Sequence, residues 1–138
     1  MELSRNKQNY IVMTVVYDEL TDFSLGKGET FRDATVLISE LCEQPYSEVD
    51  QYVKDCVAAS LNNYGKIKEA FEPFLKNWKW ERIPLLTQAI LLMSYAHFYY
   101  VERVDKKVVI NTAIELAKKY VEDKQAKFIN AILDGVIK

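Results

Sequence analysis

Hydrophobic residues recur at three- and four-residue steps along most of the chain, a spacing that places them on one face of a helix. The pattern is clearest near the C-terminus, where one stripe contains Val109, Ala113, Leu116, Ala117 and Tyr120. The β-branched run at 108–110 favours a strand by local propensity, but the segment lacks the period-two alternation of a half-buried strand. We therefore predict a helix across this run, with Asp105 as its N-terminal cap.

The end of the chain repeats this pattern. Phe128, Ile132 and Val136 form one apolar row, and polar residues occupy the opposite side. Asp123 is the predicted cap of this last helix, and the short Glu122–Asp123 link joins it to the preceding one. Such a link predicts an antiparallel helical hairpin with both apolar faces turned inward.

The same periodicity predicts five earlier helices. A loop is expected at 21–30, which holds Gly26 and Gly28, and Pro73 should kink or break the fourth helix. The predicted helices run over Ser4–Leu20, over Phe31–Cys42, from the Ser47–Asp50 start signature to Leu61, over Ile67–Trp78, and onward from Pro84. The expected fold class is all-α, with about seven helices.

Composition agrees with a single helical domain over residues 1–138. Hydrophobic residues make up 49% and charged residues 28%, which is typical of a folded globular protein. The chain has only 4 glycines and 3 prolines, too few for the many turns of a β-rich fold. Cys42 and Cys56 have neither CxxC spacing nor a histidine nearby, so we expect free buried thiols.

One segment is long and apolar enough to raise the question of a membrane span. The nineteen residues between Arg82 and Glu102 carry no formal charge. Polar residues and Pro84 interrupt the segment, and no charge bias flanks it, so we expect the most buried helix of the fold and no membrane span. Its stripe of Leu91, Tyr95 and Phe98 should face other helices. The N-terminus lacks a signal-peptide pattern, which favours a cytoplasmic location.

Charge is distributed unevenly, although the net charge is only −2. Residues 17–50 hold nine acids against Lys27 and Arg32, whereas the chain from Asp105 onward holds seven lysines against five acids. The two weakly basic ends would form one patch if they met in space. Ordinary solvated helix faces are the alternative interpretation, and charge alone favours it.

The sequence offers little for catalysis. Its single histidine, His97, lies in the most apolar segment, where a hydrogen-bonded core histidine is expected rather than a general base. None of the common nucleotide-binding, nucleophile or metal-binding motifs occurs. We therefore predict a protein without enzymatic activity, metal or cofactor.

The predicted C-terminal hairpin carries a more specific signal. The segments KVVINTAIELAKKY (107–120) and KFINAILD (127–134) resemble the closing signature of the NusB family of bacterial transcription antitermination factors. FLKNWKWERIPLLTQAILLMSYAHF (74–98) resembles the family's central region, and SRNKQNYIVMTVVYDEL (4–20) resembles its opening basic helix. The resemblance implies the NusB-like fold, in which two packed helical bundles share long central helices.

The resemblance also implies a function. NusB-family proteins bind single-stranded boxA RNA together with the ribosomal protein NusE, in RNA polymerase complexes that pass terminators, notably on ribosomal RNA operons. The implied partner contact lies beside the fifth helix, at Thr87 and Leu91. The implied RNA-binding residues are Arg5, Lys7, Lys124, Gln125, Lys127 and Phe128. Cations neutralise phosphates and an exposed ring stacks on an unpaired base, although core packing is the alternative role for Phe128.

Several polar positions depart from the family pattern. The usual run of arginines is reduced to Arg5, Asn6 and Lys7, and Thr87 and Leu92 stand where an acid and an arginine are common. Two hypotheses stay open: a boxA-binding antitermination factor, or a NusB-like helical protein-interaction module with weakened or lost RNA binding. A NusB-like domain fused to a ribosomal RNA methyltransferase is less favoured, because no methyltransferase sequence follows residue 138.

Overall fold

The computed structural model of the protein describes residues 3–25, 33–76 and 78–138. Within these ranges the chain forms seven α helices and no strand, so the predicted all-α fold is confirmed. The helices are Arg5–Ser24 (α1), Thr35–Cys42 (α2), Gln51–Asn62 (α3), Tyr64–Phe71 (α4), Leu85–Ala96 (α5), Lys106–Tyr120 (α6) and Asp123–Val136 (α7). Short 3₁₀ turns lie at Tyr46–Glu48, Glu72–Phe74 and Trp80–Arg82, and a π-helical turn, His97–Val101, continues α5.

Helix α5 lies at the centre of two helical groups. It packs with α1 and α3 in one group and with α4, α6 and α7 in the other. Nine of its twelve residues are buried; Leu91 is fully buried, while Tyr95 and Phe98 are half-buried and pack against the core. The prediction that the uncharged segment forms the most buried helix is confirmed. In the part of the chain that the structure describes, no helix is long and apolar enough to cross a membrane.

The buried polar side chains of α5 have hydrogen-bond partners inside the fold. Gln88 Nε2 donates to the carbonyls of Trp80 at 3.1 Å and Ile83 at 2.9 Å, and Ser94 Oγ donates to the Ile90 carbonyl at 2.7 Å. Leaving such groups unpaired would cost about 1–3 kcal/mol each. The bonds from Gln88 therefore fix the Trp80–Arg82 turn against the start of α5.

Side-chain caps determine where several helices begin. Ser4 Oγ accepts from the Lys7 amide at 3.1 Å at the start of α1, and Asp105 Oδ1 accepts from the Lys107 amide at 2.8 Å at the start of α6. The predicted cap at Asp105 and the helix across 108–110 are confirmed. For α3 the cap is Asp50, since Ser47 lies in the preceding 3₁₀ turn, so the predicted start signature begins too early.

Helix α1 continues four residues beyond the predicted end at Leu20. Thr21 Oγ1 donates to the Tyr17 carbonyl and Ser24 Oγ donates to the Thr21 carbonyl, each at 2.9 Å. The polar side chains at this end thus find their partners on the helix's own backbone. The predicted loop at 21–30 begins too early. Residues 26–32, which include both loop glycines and the predicted start of the second helix, lie outside the described residues.

The expected break near Pro73 is confirmed. Helix α4 ends at Phe71, and Pro73 lies in the 3₁₀ turn that follows. Leu75 is buried beyond that turn, but Trp78 lies outside any helix and is 60% exposed. The prediction that the fourth helix extends to Trp78 is therefore wrong.

Helices α6 and α7 form the predicted antiparallel hairpin. Lys106, at the start of α6, donates through Nζ to the carbonyl of Asp134 near the end of α7 at 2.7 Å. Glu122 holds the N-cap position of α7, and Asp123 is its first helical residue, so the predicted cap is displaced by one residue. Tyr120 is 37% exposed, at the rim of the hairpin rather than on its inward face.

Both cysteines are buried and neither forms a disulfide, as expected. Burial raises the pKa of the Cys56 thiol to about 12, which suppresses the reactive thiolate. Cys56 therefore acts as a small apolar side chain in the core and not as a reactive thiol.

Candidate nucleic-acid interface

Arg5 lies in the first turn of α1, and other residues of the fold already contact its guanidinium. Nη1 donates to Glu102 Oε1 at 2.9 Å, Nε donates to Gln8 Oε1 at 3.1 Å, and Cζ lies 3.6 Å from the centroid of the Tyr52 ring. The side chain is nevertheless 51% exposed. Arg5 therefore presents part of its charge to solvent while it is paired with an acid of its own chain.

The pairing extends into a buried network at the end of α5. Glu102 Oε1 also accepts from His97 Nε2 at 2.9 Å, and the Tyr52 hydroxyl, which donates to Asn9 Oδ1, lies 3.5 Å from His97 Nδ1. Burial opposes ionisation of Glu102, but the hydrogen bonds from Arg5 and His97 outweigh it and lower the pKa of Glu102. Burial lowers the pKa of His97 despite the nearby carboxylate. His97 is thus the hydrogen-bonded core histidine that the sequence predicts.

The three predicted lysines are exposed. Lys7 follows Arg5 on α1, and Lys124 and Lys127 lie in the first turns of α7. Positive charge near the N-terminus of a helix opposes the helix dipole, so these two lysines of α7 do not stabilise their own helix. The role of the three lysines in RNA binding stays a prediction.

Gln125 and Phe128 line an apolar groove. The groove also contains Ile83, Pro84 and the exposed ring of Trp78. Phe128 is half-buried and packs against the core, so its ring combines core packing with a surface accessible from the groove. This end of α7 therefore offers apolar surface beside the Lys124 charge.

The two residues predicted to bind a protein partner lie inside the fold. Thr87 and Leu91 have 0% exposure, and Thr87 Oγ1 donates to Gln125 Oε1 at 3.0 Å. Thr87 therefore positions Gln125, and Leu91 fills the core. A partner docked beside α5 would touch the residues around them, so their role in partner binding stays a prediction.

The predicted RNA-binding residues form two groups near opposite ends of α5. Arg5 contacts Glu102, just after the π-helical turn, whereas Gln125 contacts Thr87 in the first turn of α5. At the helical rise per residue, Thr87 and the start of that turn are about 15 Å apart. A ligand that reached both groups would have to be extended.

A tyrosine pair connects α1 with the end of α6. The ring centroids of Tyr10 and Tyr120 lie 5.0 Å apart, and the Lys7 ammonium lies 4.9 Å from the Tyr10 centroid. On the other side, the Lys119 ammonium lies 5.4 Å from the Tyr120 centroid. Helical spacing placed Tyr120 in the apolar stripe of its helix, but only the tertiary fold reveals that its ring meets Tyr10.

Among the described residues, one group of carboxylates is close enough to hold a metal ion. It consists of Asp18, Glu19 and Asp22 on α1, whose ligand oxygens lie within 4.8 Å of one another. A cluster of acids does not by itself define a site, so the predicted absence of a metal stays a prediction.

The family comparison agrees with the sequence signature. A sequence model described as the NusB family matches residues 12–138, so Arg5 and Lys7 precede the matched region. A transcription antitermination protein NusB from Clostridium botulinum (strain Loch Maree / Type A3) is 32% identical over 146 residues, covering 98% of this chain and 100% of that protein. A protein of the same name from Natranaerobius thermophilus is 37% identical over 86 residues, which span 62% of each chain.

Solved structures show the same fold. NusB from T. maritima superposes with a TM-score of 0.76 at 18% identity, covering 99% of this chain and 92% of that one. NusB in a crystal structure of the antitermination factors NusB and NusE with dsRNA gives a TM-score of 0.75 at 18% identity, covering 96% and 94%. These likenesses place the seven described helices in the NusB-like arrangement.

Proposed function

Because this chain belongs to the NusB family, we propose that it is a transcription antitermination factor that binds RNA together with the ribosomal protein NusE. The observation that carries the proposal is the alignment with the Loch Maree relative, which covers 98% of the chain. In this role the protein would join an RNA polymerase antitermination complex in the cytoplasm, promote ribosomal RNA transcription and act by binding rather than by catalysis.

Single-stranded boxA-type RNA is the proposed ligand. The exposed ammonium groups of Lys7, Lys124 and Lys127 suit phosphates, and Arg5 would add a fourth cation once released from Glu102. The ring of Phe128 offers an apolar face to an unpaired base, which a duplex would not present. The residues proposed to bind RNA therefore include Gln125, which lines the same groove.

NusE is proposed to dock beside the start of α5. The buried Thr87 holds Gln125 by a hydrogen bond. Trp78 and Pro84 form the exposed surface next to the start of α5. An exposed tryptophan beside a proline is the kind of apolar surface that a protein partner can bury. The partner would then sit next to the basic start of α7 and extend the RNA-binding surface.

A binding titration tests the proposal. A labelled boxA-type single strand is titrated with this protein alone and with an equimolar mixture of this protein and NusE, with the same RNA as a duplex for comparison. We expect weak binding alone, tighter binding with NusE, and a preference for the single strand. If the mixture binds RNA no better than NusE alone, the helical protein-interaction role replaces the proposed one.

A further inference from the structure

Four side chains form a continuous row between α1 and α6, in which two tyrosine rings are flanked by two lysines. The order is Lys7, Tyr10, Tyr120 and Lys119, with each ammonium within 6 Å of a ring centroid and the two centroids 5.0 Å apart. At these distances each lysine is attracted to the face of its ring. The row is therefore an ordered surface feature rather than four independent side chains.

The Tyr120 end of the row is not needed to fill the hydrophobic core. Tyr120 is 37% exposed and lies outside the core cluster, while Tyr10 packs on the edge of that cluster. The two rings are tilted by 42° to each other. Both lysines are exposed.

A polar cleft lies beside the Tyr120 ring. Asn6 on α1 and Thr112, Glu115 and Lys119 on α6 contribute to its lining. The Glu115 carboxylate disfavours a phosphate in the cleft, but it can accept a hydrogen bond from an amino group on a base. The amide of Asn6 can donate and accept, as the edge of an unpaired base requires.

We propose that Tyr10 and Tyr120 form a base-stacking platform for single-stranded RNA, with Lys7 and Lys119 contacting the phosphates on its two sides. A base that carries an exocyclic amino group (cytosine, adenine or guanine) would replace the Lys119 ammonium on the face of Tyr120 and direct this group towards Glu115. The displaced ammonium would then contact the adjoining phosphate. This assignment rests on the proposed function. It adds Tyr10, Tyr120, Lys119 and Glu115 to the surface that begins at Arg5.

The position of the platform connects the two separated groups of cations. Lys7 lies one helical turn before Tyr10, and α7 with Lys124 begins just after Tyr120. An RNA strand that left Lys7 along the two rings would therefore arrive at the start of α7. This path explains how an extended strand could reach both ends of the basic surface.

Variants of the row test the platform. Binding of a labelled single strand that contains cytosine and adenine is measured by fluorescence anisotropy, with and without NusE, over a series of salt concentrations. Tyr120→Leu should weaken binding about 5- to 150-fold, as expected for the loss of one stacked base, and should leave the salt slope unchanged. Tyr120→Phe retains the ring and should bind as the parent does. Lys119→Ala should reduce the magnitude of the slope by about 0.7.

The matched control is Tyr46→Leu. Tyr46 also lies under a lysine, with the Lys54 ammonium 4.5 Å from its ring centroid, but it sits in the acid-rich part of the chain. We expect this variant to bind as the parent does, and thermal melts confirm that each variant is folded. If Tyr120→Leu and Lys119→Ala both bind RNA with the affinity and salt slope of the parent, the platform is wrong and the proposed function still holds. A parent that binds no RNA even with NusE would overturn both.

Discussion

Glu102 holds Arg5 by an ion pair whose Nη1 to Oε1 distance is 2.9 Å, although 97 positions separate the two residues along the chain. The same carboxylate oxygen accepts from His97, so it is fixed on one side by the core. A phosphate that bound Arg5 would have to compete with this carboxylate. The N-terminal arginine of the candidate RNA surface is thus restrained by its own protein.

Replacing Glu102 with Gln should strengthen RNA binding, because the substitution removes the competing charge and frees the Arg5 guanidinium. If Arg5 then contacts one more phosphate, the salt slope should steepen by about 0.7. Glu81→Gln is the matched control, since Glu81 pairs with Lys68 at 3.4 Å and the substitution changes the net charge equally. Equal binding by both variants would show that Arg5 does not contact RNA.

Acid should destabilise the fold through the same network. The pKa of His97 in the folded protein is lowered from the ordinary value of 6.5. As the pH falls below 6.5, the unfolded chain therefore binds more protons than the folded protein, and the free energy of unfolding decreases until the folded histidine is also protonated. The pKa of Glu102 is lowered from 4.5, so protonation of this carboxylate reduces the free energy of unfolding further at more acidic pH. Melting temperatures measured from pH 7.5 to pH 4 should decline, and His97→Gln should flatten the decline below pH 6.5. A parallel decline in the variant would contradict this role of His97.

The Asp105 cap should contribute measurably to stability. Asp105→Ala removes the acceptor for the Lys107 amide and should lower the free energy of unfolding by about 1 kcal/mol. Urea unfolding measures the change. Asp105→Ser preserves a capping oxygen and should recover most of the loss, whereas equal losses in both variants would assign the effect to the charge alone.

Leu91 should act on stability rather than directly on a partner, since it has 0% exposure in α5. Leu91→Ala would leave a cavity at the centre of the fold and should cost about 2–5 kcal/mol in unfolding free energy. Val108→Ala, at a position that is 50% exposed, is the control and should change stability by less than about 0.5 kcal/mol. A Leu91→Ala protein of parental stability that lost NusE binding would instead place Leu91 in the interface.

Spacing predicted most of the fold but only part of the site. The hairpin of α6 and α7 follows from its periodic apolar residues, because tertiary packing of a helical stripe outweighs the β propensity of residues 108–110. The end of α1 was missed because polar residues such as Thr21 and Ser24 are typical of loops, whereas here their hydroxyls bond to the helix's own backbone. The ion pair of Arg5 with Glu102 could not be predicted, since nothing local in the sequence relates two such distant positions.

The salt dependence of RNA binding tests the central claim most directly. The parent and the double variant Arg5→Ala/Lys7→Ala are titrated with single-stranded boxA-type RNA in the presence of NusE at several salt concentrations, with NusE alone as the reference. About three phosphate contacts by this protein predict that log K falls against log salt with a slope of roughly −2 beyond the NusE reference. The double variant should bind more weakly and with a shallower slope. The account would be contradicted if the mixture of parent and NusE bound the RNA with the same affinity and the same salt slope as NusE alone.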